Sequence, residues 1–184
     1  MADSSNIRLI LGGARSGKSS YAEKLAHQLS TPARTLHYVA TATAFDEEMQ
    51  ARILHHQQQR GTAWVEHECP LELATLLTSF RAGDIVLIEC LTLWLNNLIF
   101  ELGTTCSHDQ LTARITEVAA TASQCPAQLI FVSNEVGLGV VPIGEVSRTF
   151  VDHAGRMNQK IAAIASEVTL IAAGLPLQLK GASS

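Results

Sequence analysis

The fold is decided by one stretch near the start of the chain, Gly12-Gly13-Ala14-Arg15-Ser16-Gly17-Lys18-Ser19. This stretch fits the pattern of glycine, any four residues, glycine, lysine and then serine or threonine that forms a phosphate-binding loop. An apolar run at residues 7–11 precedes it, and a helical pattern over residues 18–29 follows it. The order strand, glycine-rich loop, helix is the setting that the motif requires. We therefore predict that these eight residues bind a nucleotide.

Each part of the loop has a chemical reason. Glycines let backbone N–H groups curl around phosphate oxygens, and the helix N-terminus adds positive potential. Lys18 is expected to reach the outer phosphates, and the Ser19 hydroxyl is expected to bind Mg²⁺. The apolar run 85–88 ends in Glu89, at the position where such proteins place the carboxylate that holds Mg²⁺ directly or through water. The predicted metal ligands are therefore Ser19 and Glu89, with a solvated acid at the strand end as the plain alternative for Glu89.

Along the chain, short apolar runs alternate with helical patterns. Alternation of this kind, with short connections, predicts an α/β fold: a mostly parallel sheet with helices on both faces and ligands at the carboxyl ends of the strands. Strands are predicted at residues 7–11, 35–41, 64–68, 85–88, 128–133 and 168–172, with an edge strand within 173–184. Helices are predicted at 18–29, 46–59, 70–80, 91–102, 108–123 and 144–165, and a turn-rich functional loop at 134–144.

Length and composition narrow the class of protein. A chain of 184 residues fits one domain, so we expect a single domain over 1–184 with flexible ends at 1–6 and 181–184. The net charge of -4 disfavours nucleic acid as a partner. No run approaches the length of a membrane span and no signal-peptide pattern is present, so a cytoplasmic protein is expected. Only 16% of residues are charged, a thin charged surface that suggests sister subunits.

The cysteines indicate neither a metal site nor a disulfide framework. Cys69, Cys90, Cys106 and Cys125 are scattered, without a Cys-x-x-Cys pair. We expect them to be buried or half-buried free thiols.

The predicted helix at 46–59 carries a pair of histidines, His55 and His56. A neutral imidazole can attack phosphorus and form a phosphoramidate that passes its group onward. Arg52 lies four residues before His56 and Arg60 four residues after it, so a bound phosphate could be shared along one face of the helix. Taken alone, the pattern also fits solvated histidines on a basic helix face.

Beyond the loop, the sequence resembles the adenosylcobinamide kinase/adenosylcobinamide-phosphate guanylyltransferase family over about residues 7–172. Many separate stretches match in order, which is far more specific than the loop alone. They are the loop itself, Tyr38-Val39-Ala40-Thr41-Ala42, Asp46-Glu47-Glu48-Met49 with Arg52-Ile53-Leu54-His55-His56, Trp64 with Glu68, Pro70 and Leu71, Glu89-Cys90-Leu91-Thr92-Leu93-Trp94-Leu95-Asn96-Asn97-Leu98, Ser133-Asn134-Glu135-Val136-Gly137 with Val141-Pro142, and Arg148, Phe150, Asp152 and Gly155-Arg156-Met157-Asn158-Gln159.

The resemblance implies two reactions. ATP or GTP phosphorylates the aminopropanol hydroxyl of adenosylcobinamide, and GTP then guanylylates a histidine that passes GMP to the phosphorylated corrinoid. It places the nucleophile at His56, with His55 as the alternative. Lys18 of the glycine-rich loop is the second predicted catalytic residue. Many relatives have Asp where Glu89 stands. This departure puts in question how Glu89 binds the metal, but not the activity. The remaining nucleotide-binding residues that the resemblance implies are Ala40, Thr41, Ala42, Gln57, Gln58, Gln59, Arg60, Glu68 and Glu89.

The resemblance also implies a homotrimer of subunits with a seven-stranded, RecA-like sheet. It leaves open whether the corrinoid or a neighbouring subunit contacts Asn134-Glu135-Val136-Gly137. Two other functions remain: a P-loop kinase for a different small metabolite, which needs no covalent histidine, and a non-catalytic nucleotide sensor. Labelling of the protein by GTP would separate the first from the family activity, and binding without turnover would indicate the second.

Overall fold

The computed structural model describes residues 6–43, 63–103 and 107–181. The predicted helix at 46–59 and the predicted flexible ends, apart from Asn6 and Gly181, lie outside these residues. Strands and helices alternate along the described chain. The strands are β1 (Ile7–Gly12), β2 (Thr35–Ala40), β3 (Trp64–Glu68), β4 (Asp84–Glu89), β5 (Gln128–Asn134), β6 (Glu167–Ala172) and β7 (Leu175–Lys180). The helices are α1 (Lys18–Leu29), α2 (Leu73–Leu77), α3 (Leu91–Leu102), α4 (His108–Gln124) and α5 (Glu145–Ile164).

The described strands form one seven-stranded sheet in the order β3-β2-β4-β5-β1-β6-β7. All neighbours pair in parallel except β6 and β7, which form an antiparallel hairpin. The predicted parallel sheet and the predicted C-terminal edge strand are therefore confirmed. Because the strands are parallel, the carboxyl ends of β1, β2, β3 and β4 meet at one edge, where the glycine-rich loop also lies.

Helices cover both faces of the sheet. On one face, Ala22 and Ala26 of α1 pack against β1, β4 and β5. On the other face, α2, α3, α4 and α5 pack against the same strands through a larger apolar cluster that includes Trp94 and Phe131. Burial from both sides explains why residues 85–88 and 129–132 are continuously apolar.

The described cysteines are free, as the sequence predicts. Cys69 and Cys90 are buried and Cys125 is half-buried. Burial raises the pKa of all three thiols, so they stay protonated near neutral pH. Cys106 lies outside the described residues.

The predicted helix at 70–80 is wrong in its extent, because α2 covers only Leu73–Leu77. Before it, the Leu71 carbonyl accepts hydrogen bonds from the side chains of Trp94 and Arg114 instead of starting a helix. After it, the hydroxyls of Thr78 and Ser79 bond to backbone carbonyls of the last turn and compete with helix continuation. The other described helices agree with the prediction to within a residue or two at each end.

Candidate nucleotide site at the carboxyl edge of the sheet

The glycine-rich loop joins β1 to α1 in a compact turn. Gly17 precedes the helix with φ 94°, a left-handed conformation that favours glycine. A Cβ on Gly12 would collide with the Ser16 side chain and come within 2.7 Å of the Ile171 carbonyl oxygen. The first turn of α1 contains no acidic residue, so no carboxylate competes for its free N–H groups. The loop therefore presents the backbone donors that a phosphate needs.

The β6–β7 hairpin supports this loop from outside. The Gly174 N–H donates a 2.8 Å hydrogen bond to the Ser16 carbonyl oxygen, and Gly174 adopts φ 79°. A Cβ on Gly17 would approach the Gly174 Cα at 3.4 Å, so the two backbones pack closely. The C-terminal hairpin thus fixes the shape of the loop, a contact that the motif alone did not predict.

Lys18 lies in the first turn of α1 and is almost fully buried. Its Nζ donates a 3.2 Å hydrogen bond back to the Gly13 carbonyl oxygen. The ammonium group is therefore held over the loop, where a phosphate would contact it.

Ser19 and Glu89 meet across the sheet edge. The Ser19 hydroxyl donates to Glu89 Oε1, although the two residues are far apart in sequence. The other carboxylate oxygen, Glu89 Oε2, is buried and has no hydrogen-bond partner among the described residues. A hydroxyl and a carboxylate oxygen with a free lone pair are the ligands that Mg²⁺ prefers. This pair fits the predicted metal site.

The ends of β2 and β3 lie next to the end of β4 along the same edge of the sheet. Ala40 pairs with Glu68 on one side and with Glu89 on the other, so the three residues form a row across adjacent strands. Thr41 follows at the end of β2 and is fully buried. Its N–H donates to the Glu89 carbonyl oxygen at 3.0 Å and its hydroxyl to the Cys90 carbonyl oxygen at 2.7 Å. Of the predicted nucleotide-binding residues, Ala40 therefore lies between Glu68 and Glu89, and Thr41 is hydrogen-bonded to the Glu89 backbone.

The other predicted site residues are not all described. Ala42 follows Thr41 and is partly buried. The predicted histidine nucleophile and its neighbours lie in the gap 44–62, outside the described residues. They are His55, His56, Gln57, Gln58, Gln59 and Arg60. Their roles stay predictions.

Sequence reasoning named several polar side chains at the same edge in the stretches that carry the family resemblance, but it did not predict the hydrogen bonds that they make. Asn134 Nδ2 donates to the Thr92 hydroxyl at 2.9 Å, which ties the end of β5 to α3. The Ser133 hydroxyl donates to Asn158 Oδ1 at 2.7 Å, which ties β5 to α5. Asn97 Nδ2 donates to two loops of the site. The available signal was their place in those stretches, which does not say which groups they contact.

No helix in the described part of the chain is long and apolar enough to cross a membrane.

A glycine-rich loop between β1 and α1, with a carboxylate at the end of β4, defines a P-loop nucleotide-binding protein. The fold agrees with this class. An ATPase of a bacterial type III secretion system superposes with a TM-score of 0.54 at 10% sequence identity, covering 94% of this chain and 56% of that structure. At this identity the likeness concerns the fold alone.

The chain belongs to the cobinamide kinase / cobinamide phosphate guanyltransferase family, whose model matches residues 8–179. The bifunctional adenosylcobalamin biosynthesis protein CobP of Pseudomonas aeruginosa is 46% identical over 175 residues, covering 94% of this chain and 96% of that protein. The bifunctional adenosylcobalamin biosynthesis protein CobU of Salmonella typhimurium is 40% identical over 182 residues, covering 94% of this chain and 98% of that protein. The family predicted from the sequence is confirmed.

Proposed function

We propose that this protein phosphorylates adenosylcobinamide and then transfers GMP from GTP to the new phosphate, giving adenosylcobinamide-GDP. Family membership supports both halves, because the family description names a kinase and a guanyltransferase. The observation that carries the proposal is the contact of Ser19 with Glu89 beside the glycine-rich loop. It supports the proposal because both reactions need a phosphate-binding loop close to groups that could hold Mg²⁺, the roles that we propose for the loop and for this pair.

The kinase half uses the loop. Backbone N–H groups of the loop and the Lys18 ammonium bind and orient the phosphates of ATP or GTP, which neutralises charge as the terminal phosphoryl group moves. Ser19 and Glu89 would hold Mg²⁺, which supplies further neutralisation of the phosphate charge. The aminopropanol hydroxyl oxygen attacks the γ-phosphorus, the bond to the nucleoside diphosphate breaks, and the hydroxyl proton is lost.

The transfer half uses a histidine, for which we propose His56. An imidazole nitrogen attacks the α-phosphorus of GTP, and the bond to pyrophosphate breaks. The phosphate of adenosylcobinamide phosphate then attacks the same phosphorus, and the N–P bond breaks to restore the imidazole. His55 is the alternative nucleophile. The guanine-nucleotide contacts in this proposal are Ala40, Thr41, Ala42, Gln57, Gln58, Gln59, Arg60, Glu68 and Glu89.

We further propose that the protein is a cytoplasmic homotrimer of single-domain subunits spanning 1–184. Exposed apolar side chains support an assembly. Leu175, Leu177 and Leu179 alternate along edge strand β7 and are each more than half exposed. Val140 and Ile143, in the loop after β5, are almost fully exposed. Surfaces of this kind mark contacts with other proteins or ligands. Sedimentation equilibrium tests the trimer, and a monomeric mass at micromolar protein would contradict it.

The product assay tests the whole proposal. Purified protein is incubated with adenosylcobinamide, ATP, GTP and Mg²⁺, and the corrinoids are separated by chromatography. We expect adenosylcobinamide phosphate first and adenosylcobinamide-GDP later. A reaction that stops at the phosphate would indicate a kinase alone. Unchanged corrinoid would contradict the proposal: it would leave a P-loop kinase for a different metabolite, or a sensor if the protein binds nucleotide without turnover.

A further inference from the structure

One side chain of α3 joins two loops of the site. Asn97 Nδ2 donates a 2.7 Å hydrogen bond to the Thr41 carbonyl oxygen and a 3.1 Å hydrogen bond to the Pro70 carbonyl oxygen. Thr41 follows β2, and Pro70 follows β3. Residues 44–62, which contain His55 and His56, follow Thr41 along the chain, and β3 lies between them and Pro70.

The chemistry of the contact requires an amide. Both facing atoms are carbonyl oxygens, so only a group with two N–H donors satisfies both. Asn97 is only 6% exposed, so water cannot easily replace a lost bond. An aspartate of the same shape would either place a negative charge against two carbonyl oxygens or bind a proton and keep a single donor. Asparagine is therefore matched to this position by its donors as well as by its volume.

The contact also reaches the metal-binding pair. Thr41, which Asn97 holds through its carbonyl group, donates its own N–H to the backbone of Glu89 and its hydroxyl to the backbone of Cys90. On the other loop, Trp94 Nε1 donates to the Leu71 carbonyl oxygen at 2.8 Å, one residue beyond the carbonyl that Asn97 binds. Trp94 and Asn97 are three residues apart and share a helix face. One face of α3 thus holds the ends of β2 and β3 in a fixed relation to Glu89.

We propose that Asn97 is a positioning residue for guanylyl transfer, which fixes the ends of β2 and β3, where three of the proposed guanine-nucleotide contacts, Ala40, Thr41 and Glu68, lie. The proposal rests on the proposed function, because it assumes that these residues contact the guanine nucleotide whose GMP is transferred. Asn97 acts through Thr41 and Pro70 and does not itself touch the reacting atoms. Its loss should slow transfer more than phosphorylation, since the glycine-rich loop is held by the β6–β7 hairpin instead.

The test compares Asn97→Asp with Asn96→Asp. Asn96 is half-buried and lies one position earlier on the same helix, turned by about 100°. Both variants make the same change of an amide to a carboxyl group, but only the first removes donors from Thr41 and Pro70. Near-ultraviolet circular dichroism confirms that each variant is folded, and Asn97→Ser, which keeps one donor, replaces Asn97→Asp if the latter does not fold.

The first measurement is amide hydrogen exchange at Thr41 and Cys69, whose N–H groups donate to Glu89 and Ala40. We expect exchange at both amides to accelerate about tenfold in Asn97→Asp, the size of one lost buried hydrogen bond, and to stay at the wild-type rate in Asn96→Asp. Unchanged exchange in the Asn97 variant would overturn the inference, because the loops would then be held by other contacts.

The second measurement follows each half-reaction separately. With adenosylcobinamide phosphate and GTP, we expect kcat/KM of Asn97→Asp to fall by about tenfold to a hundredfold, while phosphorylation of adenosylcobinamide changes by less than about threefold. An equal fall in both reactions would overturn the positioning role, and so would looser exchange with unchanged transfer. Wild-type protein without transfer activity would contradict the proposed function instead, and the exchange rates would still decide whether Asn97 fixes the two loops.

Discussion

The two sides of the candidate site are built in different ways. On the phosphate side, the shape is set by backbone: glycines at 12 and 17 and close contacts with the β6–β7 hairpin. On the side of β2 and β3, the shape is set by side chains of α3 that donate to loop carbonyls, chiefly those of Asn97 and Trp94. Residues that are adjacent in sequence build the loop of the first side, and a distant hairpin only supports it, whereas the second side depends entirely on contacts between distant segments.

This difference predicts how each side fails when it is changed. A change in the phosphate side should abolish phosphate binding, because the loop and Lys18 are the groups that we propose contact the nucleotide phosphates. A change in the α3 side should slow guanylyl transfer more than phosphorylation. It would shift the ends of β2 and β3 without removing any group that we propose contacts the substrate.

The largest effect is expected for Lys18→Ala. The change removes the buried ammonium group held over the loop, so charge on the transferring phosphoryl group is no longer neutralised. We expect kcat/KM for phosphorylation of adenosylcobinamide to fall about 10³-fold, measured by corrinoid chromatography. Lys24→Ala, an exposed lysine on the same helix, serves as the control. Less than a tenfold loss in Lys18→Ala would contradict the assigned role.

Glu89→Gln should have the next largest effect. The change keeps the shape and removes the negative charge that faces Ser19, so Mg²⁺ should bind more weakly. We expect activity at low Mg²⁺ to fall about 10²-fold and to recover partly as Mg²⁺ is raised. Glu101→Gln, an exposed acid at the end of α3, should behave as wild type. A loss that no concentration of Mg²⁺ relieves would count against a metal-binding role.

Gly12→Ala tests the backbone construction of the phosphate side. The new methyl group would meet Ser16 and the Ile171 carbonyl oxygen, so the loop or β6 must shift. We expect the free energy of unfolding in urea to fall by about 1–3 kcal/mol. The matched change Gly13→Ala adds a methyl group that meets nothing within 4 Å and should cost much less. Equal losses in the two variants would remove the steric explanation.

The smallest predicted effect lies away from both sides. His108 Nδ1 and His153 Nε2 are 2.8 Å apart where α4 meets α5. Burial, then His108 and Arg156, lower the pKa of His153 below 6.5, and Asp152 opposes them weakly. The unfolded chain therefore binds more protons near pH 6, so stability is retained above the unfolded pKa and lost as the pH falls below it.

His153→Gln removes this titration. We expect the loss of unfolding free energy between about pH 7.5 and about pH 5.5 to be smaller in the variant than in wild type, by roughly 1.4 kcal/mol for each unit of pKa shift. Urea titrations at the two pH values measure it. An identical pH dependence in both proteins would show that His153 does not contribute.

The sequence predicted the phosphate side well because its information is local. The spacing of Gly12, Gly17 and Lys18 predicts the loop conformation directly, and the apolar run before Glu89 predicts that a buried strand ends there. The same local patterns predicted the order of described strands and helices, which confirms the α/β fold.

The α3 side could not be predicted in the same way. Whether Asn97 bonds to Thr41 and Pro70 depends on tertiary packing, and no spacing in the sequence encodes a contact between residues so far apart. The short α2 was mispredicted for the same reason, because the Leu71 carbonyl is taken by side chains of other helices. Helix propensity depends on the local sequence alone, so it does not predict such competition from distant side chains.

Covalent labelling by GTP shows whether a histidine of this protein carries GMP. Protein is incubated with Mg²⁺ and GTP radiolabelled at the α-phosphate, then denatured and treated with acid or base. The account predicts a label that is stable to base, labile to acid, lost in His56→Ala and retained in His55→Ala. A wild-type protein that binds GTP but takes up no label would contradict guanylyl transfer through a histidine.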